Sequence, residues 1–188
     1  MSSDKPVLDY NEHDAEVEYW SKYNGGTTKR LCKYFHKNQL VANYVKNELN
    51  DARVLDLGCG FGRMNLFFKI KEYYGIDTTP RMIHNAIILN RNKTNAQFRL
   101  CDGKTLEFPD NFFDIVIAST VLLHLKVKTV EWYAKEIFRV LKPNGYFLTN
   151  LSKKSNINIQ QVFHKFRAEQ LKDWFNDDVF KFHKEVTE

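Results

Sequence analysis

The feature that most constrains this chain is a glycine-rich segment, DLGCGFG at residues 56–62, between two patterns of different period. The run before it, RVLDL, is short and apolar, which predicts a buried strand, and the run after it, MNLFFKI, predicts a helix. Glycines at such a turn let the backbone approach a ligand closely and adopt dihedral angles that a side chain would forbid. The sequence therefore predicts a strand, a ligand-holding turn and a helix in succession.

The same alternation of strand-like and helix-like patterns continues along the chain. Further strands are predicted at 73–77, 97–101, 112–119, 145–151 and 179–186, and helices at 80–90, 130–141 and 157–175. This order predicts an α/β fold: a Rossmann-like, doubly wound, mostly parallel sheet of six or seven strands with helices on both faces. Ligands bind such sheets at the carboxyl ends of the strands.

The first 50 residues precede the first strand and carry apolar residues at helical spacing. They are expected to form a helical cap or lid, and residues 51–188 the main domain. Tyr19, Trp20 and Tyr23 cluster just ahead of the Gly25-Gly26 pair, a layout that suits a hinged lid over the site. Packing of these aromatic residues against the sheet edge is the alternative.

Two common phosphate-binding motifs are absent. The chain has no GxxxxGK[ST], which excludes a P-loop. The dinucleotide pattern GxGxxG fails because Arg63 or Asn65 stands where its last glycine would be. The glycine turn therefore either holds a different ligand or only packs the helix on the sheet.

Polar residues follow four successive predicted strands, and these strand ends should converge on one cleft. Asp77 ends the second strand, where its carboxylate can accept hydrogen bonds from both hydroxyls of a ribose. Its alternative role, the N-cap of the next helix, is one that Thr79 can fill. Asp102 ends the third strand, where an ordinary Asp-Gly turn is the alternative. Ser119 ends the fourth strand, and His124 follows it.

At these residues the sequence resembles the class I S-adenosylmethionine-dependent methyltransferases, most closely the small-molecule (methyltransferase type 11, ubiquinone and menaquinone methyltransferase-like) branch. The resemblance runs from Arg53 to Leu151 and is carried by VLDLGCGFG, YYGIDTTPRM, LCDGKTLEFPDNFFDIVIAS and FRVLKPNGYFLT, in the family's order and spacing. It implies S-adenosyl-L-methionine as the cofactor, S-adenosyl-L-homocysteine as its product, and transfer of a methyl group.

The resemblance also implies roles for individual residues. Those implied to shape the turn under the methionine part are Asp56, Gly58 and Gly60. Those implied to surround the ribose and adenine are Asp77, Thr78, Met82, Asp102, Gly103 and Lys104. Ser119 and His124 would face the transferred methyl group.

His124 is the candidate general base, on position alone, for an acceptor that must lose a proton. A histidine that is hydrogen-bonded beneath the pocket or packed in the core is the alternative. No spacing of His, Asp and Cys suggests a metal site, and none is expected.

Charge and cysteine content bear on partners and compartment. The net charge of +5 is spread thinly, although residues 22–37 hold five basic residues and no acid. A small-molecule acceptor is therefore the main expectation, and RNA or protein the less favoured one.

Three cysteines without a CxxC pattern, and no long apolar run, are typical of a reduced cytoplasmic protein rather than a membrane protein. A monomer and a homodimer both remain open.

The end of the chain departs from the family. Relatives commonly end in a seventh, antiparallel strand beside the fifth, and here six strands are predicted, the last at 179–186. Either the seventh strand is missing, or the predicted helix at 157–175 hides it. A missing strand would favour a third class of function, a non-catalytic module that only binds the cofactor.

Overall fold

The computed structural model describes residues 47–152, 157–174 and 177–185 of the 188-residue chain. Within them, seven strands form one sheet in the order β3-β2-β1-β4-β5-β7-β6. The strands are β1 (Arg53–Leu57), β2 (Glu72–Asp77), β3 (Ala96–Leu100), β4 (Phe113–Ala118), β5 (Leu141–Ser152), β6 (Arg167–Trp174) and β7 (Asp177–His183). Neighbouring strands from β3 to β5 run parallel, and β7 is antiparallel to both β5 and β6. The Rossmann-like, mostly parallel sheet is confirmed.

Four α-helices follow β1, β2, β4 and β5 in the described residues. They are α1 (Arg63–Phe67), α2 (Pro80–Leu89), α3 (Val127–Val140) and α4 (Ile159–Val162), with 3-10 helices at Glu48–Asp51 and Leu122–His124. No helix within the described ranges is long and apolar enough to cross a membrane. The predicted lid residues Tyr19, Trp20 and Tyr23, and the basic segment at 22–37, lie outside the described residues.

The central strands are apolar on both faces because both faces are covered. In β4, Ile115, Val116 and Ile117 are successive residues and each is at most 2% exposed. Val116 packs with α3 residues in one core, and Ile115 packs with Met64 of α1 in the other. Continuous apolar runs are expected of parallel strands in such a position.

The predicted helix at 157–175 is wrong over most of its length. Only Ile159–Val162 is helical, and Arg167–Trp174 forms β6, which pairs with β7 in an antiparallel hairpin. The apolar spacing of Val162, Phe163 and Phe166 resembles a helix, but the pairing partner decides the conformation of the residues that follow. The seventh strand is therefore present, and β7 lies between β5 and β6.

The connection from β3 to β4, residues 101–112, contains no helix and is held by α3. Arg139 donates through Nη1 to the Phe108 carbonyl and through Nη2 to the Leu106 carbonyl, each at 2.8 Å. The Tyr133 hydroxyl donates to the Gly103 carbonyl at 3.0 Å. This anchoring places the turn that contains Asp102 beside the carboxyl ends of the strands.

Candidate functional site

The candidate site lies where the strand order reverses. The chain builds β1, β2 and β3 outward in one direction, then returns to place β4 on the other side of β1. The connections after β1 and β4 therefore diverge at the carboxyl edge of the sheet, which in open α/β sheets leaves a crevice for a ligand. The glycine loop, residues 58–62, follows β1 at this point.

The glycine loop is closely packed on both flanks. Gly58 has a φ of +68°, and a Cβ atom there would lie 2.5 Å from Cγ2 of Val121. Gly62 has a φ of +71°, and a Cβ atom there would lie 2.6 Å from Cε1 of Phe98. Side chains at these positions would be strained and would clash. At Gly60, by contrast, no atom of the described residues beyond its chain neighbours lies within 4 Å of the Cβ position, so these residues leave the middle of the loop open.

Asp77 joins the glycine loop to the start of α2. Its Oδ2 accepts the Gly60 N–H and its Oδ1 accepts the Thr79 N–H, both at 2.9 Å. Burial raises the pKa of this carboxyl, and the backbone hydrogen bonds lower it in part. Thr79 is the N-cap residue of α2 but makes no capping bond with its side chain. Each carboxylate oxygen has a second lone pair, so the same group can also accept from a ligand hydroxyl.

Asp56 lies beneath the loop and is 3% exposed. Its Oδ2 accepts the Tyr73 hydroxyl at 2.6 Å. Burial raises the pKa of Asp56 to about 7, although the Tyr73 bond acts in the opposite direction. Asp56 is thus tied to β2 through Tyr73, and its role in shaping the turn stays a prediction.

Asp102 is exposed and closes its own turn. Its Oδ1 accepts the Lys104 N–H at 2.8 Å and the Thr105 N–H at 3.0 Å. Desolvation raises the pKa of Asp102, but these hydrogen bonds outweigh it and the pKa is lowered. The Asp-Gly turn is therefore present, and the carboxylate is ionised at neutral pH.

The remaining predicted site residues differ in burial. Thr78, Lys104 and Ser119 are half-buried, while Met82 and Gly103 are buried. His124 is exposed at the end of the second 3-10 helix, so the alternative that it packs in the core is wrong. No cluster of His, Cys, Asp and Glu in the described ranges is placed to hold a metal ion.

Two residues near the site were missed by the sequence reasoning. Tyr73, the partner of Asp56, begins an apolar run and gives no local signal. Asn150 is buried near the carboxyl end of β5, and its side-chain oxygen accepts the Thr120 N–H at 2.6 Å. Asp77 was identified because it is a polar residue at the end of an apolar strand. Asn150 stands in the same position on β5, so the same signal could have identified it.

Fold and strand order together define a Rossmann-like protein whose candidate ligand site lies at the switch point of its sheet. A family model described as "Methyltransferase domain" matches residues 55–149, which spans the glycine loop, Asp77, Asp102 and β4. The chain belongs to this methyltransferase domain family.

Known proteins share parts of the chain. It is 36% identical over 96 residues to 2-methyl-6-phytyl-1,4-hydroquinone methyltransferase of Synechocystis sp., covering 49% of this chain and 29% of that protein. It is 30% identical over 152 residues to phosphoethanolamine N-methyltransferase of Plasmodium falciparum. That match covers 79% of this chain and 56% of the Plasmodium protein. The chain thus spans between about a third and just over half of these relatives.

A solved structure extends the likeness in fold. Phosphoethanolamine N-methyltransferase 1 of Haemonchus contortus, in complex with phosphoethanolamine and S-adenosylhomocysteine, superposes with a TM-score of 0.70 at 13% identity. The match covers 96% of this chain and 50% of that one. The arrangement of strands and helices is therefore that of a known methyltransferase structure.

Proposed function

We propose that this protein transfers a methyl group from S-adenosyl-L-methionine to a small-molecule acceptor by direct in-line displacement. The observation that carries the proposal is the Asp77 carboxylate at the end of β2, bonded to the N–H of Gly60 in the glycine loop. It joins the two elements that the family resemblance assigns to the methionine part and the ribose of the cofactor. The hydroquinone and phosphoethanolamine named for the relatives support a small acceptor.

The described residues fit the proposed cofactor. The open face of Gly60 leaves space for a ligand directly above the backbone, and the flanks of the loop are closed by Val121 and Phe98. Asp77 has lone pairs left for ribose hydroxyls. Asp102 has an ionised carboxylate at the next strand end, where an amino group of adenine can donate to it.

The cofactor would supply an activated methyl group on sulfur, with a neutral leaving group. The protein's own contribution is then orientation in a water-poor cleft, an effect that reaches about 7 to 11 kcal/mol in well-aligned reactions. Ser119 and His124 follow β4, and we assign both to the acceptor side of the site. His124, which is exposed, is assigned as the general base for acceptors that must lose a proton, an effect of about 10² to 10⁴ in rate.

Two other functions considered for the sequence have less support. The non-catalytic module rested on a missing seventh strand, and β6 and β7 complete the sheet. The RNA- or protein-methylating alternative rests on the basic segment at 22–37 alone, whereas the small acceptors named for the relatives favour a small molecule. We place the protein in the cytoplasm because the two described cysteines, Cys59 and Cys101, are free thiols.

The experiment is thermal unfolding of the full chain with and without S-adenosylhomocysteine. Preferential binding to the folded state raises the unfolding midpoint, with about 2.7 kcal/mol available at a hundredfold excess over the dissociation constant. Asp77→Ala should abolish this rise, measured from the variant's own midpoint. No rise in the wild-type protein at millimolar ligand would overturn the proposed function.

The matched control is Asp114→Ala, which removes another carboxylate with a backbone partner. Asp114 lies near the amino end of β4, away from the cleft, and its Oδ2 accepts the Arg53 N–H at 2.8 Å. This variant should lose stability but keep the full ligand-induced rise. A rise retained in Asp77→Ala, or lost equally in both variants, would contradict the role of Asp77.

A further inference from the structure

The residue that follows Ser119 after β4 has an unusual backbone. Thr120 has a φ of +62°, in the left-handed region. The other described non-glycine residues with positive φ are Asn111 and Asn144, a residue type that tolerates this conformation. A β-branched residue does not, and such outliers persist only where the surrounding structure holds them. The buried Thr120 hydroxyl has no hydrogen-bond partner in the described structure, so nothing in its own side chain offsets the strain.

The restraint comes from the neighbouring strand. Oδ1 of Asn150 accepts the Thr120 N–H at 2.6 Å, and Asn150 is only 8% exposed. One residue earlier on β5, the Thr149 hydroxyl donates to the Ala118 carbonyl at 2.8 Å. Ala118 and Thr149 are register partners in the parallel pair of β4 and β5. The end of β5 therefore fixes the backbone on both sides of Ser119.

The restrained backbone decides where the next side chain lies. Val121 follows Thr120, and its Cγ2 occupies the space that a side chain at Gly58 would need. Val121 thus lies against Gly58 of the glycine loop. A change in the φ of Thr120 would move Val121 relative to that loop.

We propose that Asn150 is a positioning residue for the cofactor site. Its side chain holds Thr120 in the left-handed conformation, and Thr120 in turn seats Val121 against Gly58. The ends of β4 and β5, on the acceptor side, are thereby set in register with the glycine loop on the cofactor side. This inference rests on the proposed function, because it assumes that the glycine loop binds S-adenosylmethionine.

The test is calorimetric titration of the full chain with S-adenosylhomocysteine, well below the unfolding midpoint of every variant. Asn150→Ala should weaken binding by about tenfold, the penalty of one left-handed β-branched residue that is no longer held. A residue with a merely structural role would lower the midpoint and leave the dissociation constant unchanged.

A glycine substitution separates the route through Thr120 from a direct contact of Asn150 with the ligand. Glycine adopts positive φ without strain, so Thr120→Gly in the Asn150→Ala background should restore binding to within about threefold of wild type. If Asn150→Ala does not fold, Asn150→Leu, which keeps the side-chain volume but has no acceptor for the Thr120 N–H, replaces it in both the single and the double variant. Asn144→Gly is the control, since it replaces another left-handed residue near the opposite end of β5 and should leave binding unchanged.

The outcomes are distinct. Weakened binding that glycine restores supports the proposal. Unchanged binding in Asn150→Ala, or weakened binding that Thr120→Gly does not restore, overturns it and leaves the proposed function intact. Absence of binding in the wild-type protein overturns the proposed function itself.

Discussion

At the scale of single residues, the protein keeps the Asp56 carboxyl group, just before the glycine loop, away from water. Asp56 is 3% exposed, and its Oδ2 accepts a hydrogen bond from the Tyr73 hydroxyl at 2.6 Å. Burial raises its pKa to about 7, whereas a carboxyl in an unfolded chain titrates near 4. Over that interval the folded protein binds the proton more tightly than the unfolded chain does. Stability from this group is therefore complete below about pH 4 and is lost as the pH rises to about 7.

Asp56→Asn should remove this pH dependence, because the amide oxygen can still accept from Tyr73 and carries no charge. The difference in free energy of unfolding between the variant and wild type should grow in the variant's favour from about pH 4 to about pH 7. At pH 8 it should reach up to about 4 kcal/mol. Urea unfolding across this range measures the difference. Equal pH slopes for the two proteins would contradict the assignment.

Asp114→Asn is the control, because the pKa of Asp114 is shifted in the opposite direction from that of Asp56. Partial burial raises the pKa of Asp114, but the bonds from Lys142 and from the Arg53 N–H outweigh it, and the pKa is lowered. This group stabilises the folded state above about pH 4, and that stability is lost as the pH falls through the lowered pKa. Its variant should therefore be less stable than wild type by a constant amount between pH 5 and 8.

At the scale of elements, α3 holds the loop between β3 and β4 in place, since no helix in that loop packs it against the sheet. Besides its bonds to the Leu106 and Phe108 carbonyls, Arg139 pairs with Asp110 at 2.7 Å and with Glu136 at 2.8 Å. One side chain thus fixes the loop at two carbonyls and one carboxylate. The turn at Asp102 is positioned through this loop.

Arg139→Met should lower the free energy of unfolding by about 2 to 3 kcal/mol, because two carbonyl groups lose their donor. Arg167→Met is the matched control. Arg167 pairs with Glu185 at 2.7 Å, but both side chains are more than half exposed, and such pairs contribute less than about 1 kcal/mol. Chemical denaturation measures the free energy of unfolding of both variants. Equal losses of this free energy would contradict the anchoring role of Arg139.

At the scale of the whole molecule, stability is expected to fall from the middle of the sheet to its edges. β1 and β4 lie between other strands, and their side chains are buried on both faces. β3 and β6 are the edge strands, and their side chains are mostly half-buried or exposed where burial is described. Amides at edges open in local fluctuations, whereas central amides need global unfolding.

Hydrogen exchange followed by mass spectrometry should therefore find the slowest amides in β1 and β4. Peptides from β3 and β6 should exchange faster at every time point. The parallel neighbours β2 and β5 serve as the internal reference, with intermediate or slow exchange. Protection of β3 equal to that of β1 would indicate that another part of the chain covers this edge.

Several parts of the molecule could be predicted because their signals are local. Leu55 and Val116 stand in short apolar runs, and the glycines at 58–62 stand between a strand and a helix. Each pattern covers only a few residues and does not depend on contacts with distant parts of the chain. The order of strands and the position of the cleft follow from alternation, since parallel strands with helical crossovers end at one edge.

Other parts depended on contacts between residues far apart in the sequence. Arg167–Trp174 is a strand because β7 pairs with it, and its own apolar spacing indicates a helix. Asp56 and Tyr73 are 17 residues apart, and Thr120 and Asn150 are 30 apart. The sequence by itself determined the family, the parallel part of the sheet and the polar residues at the ends of its strands. Only the tertiary structure decided their partners, because a hydrogen bond or a strand pair depends on which segments the fold brings together.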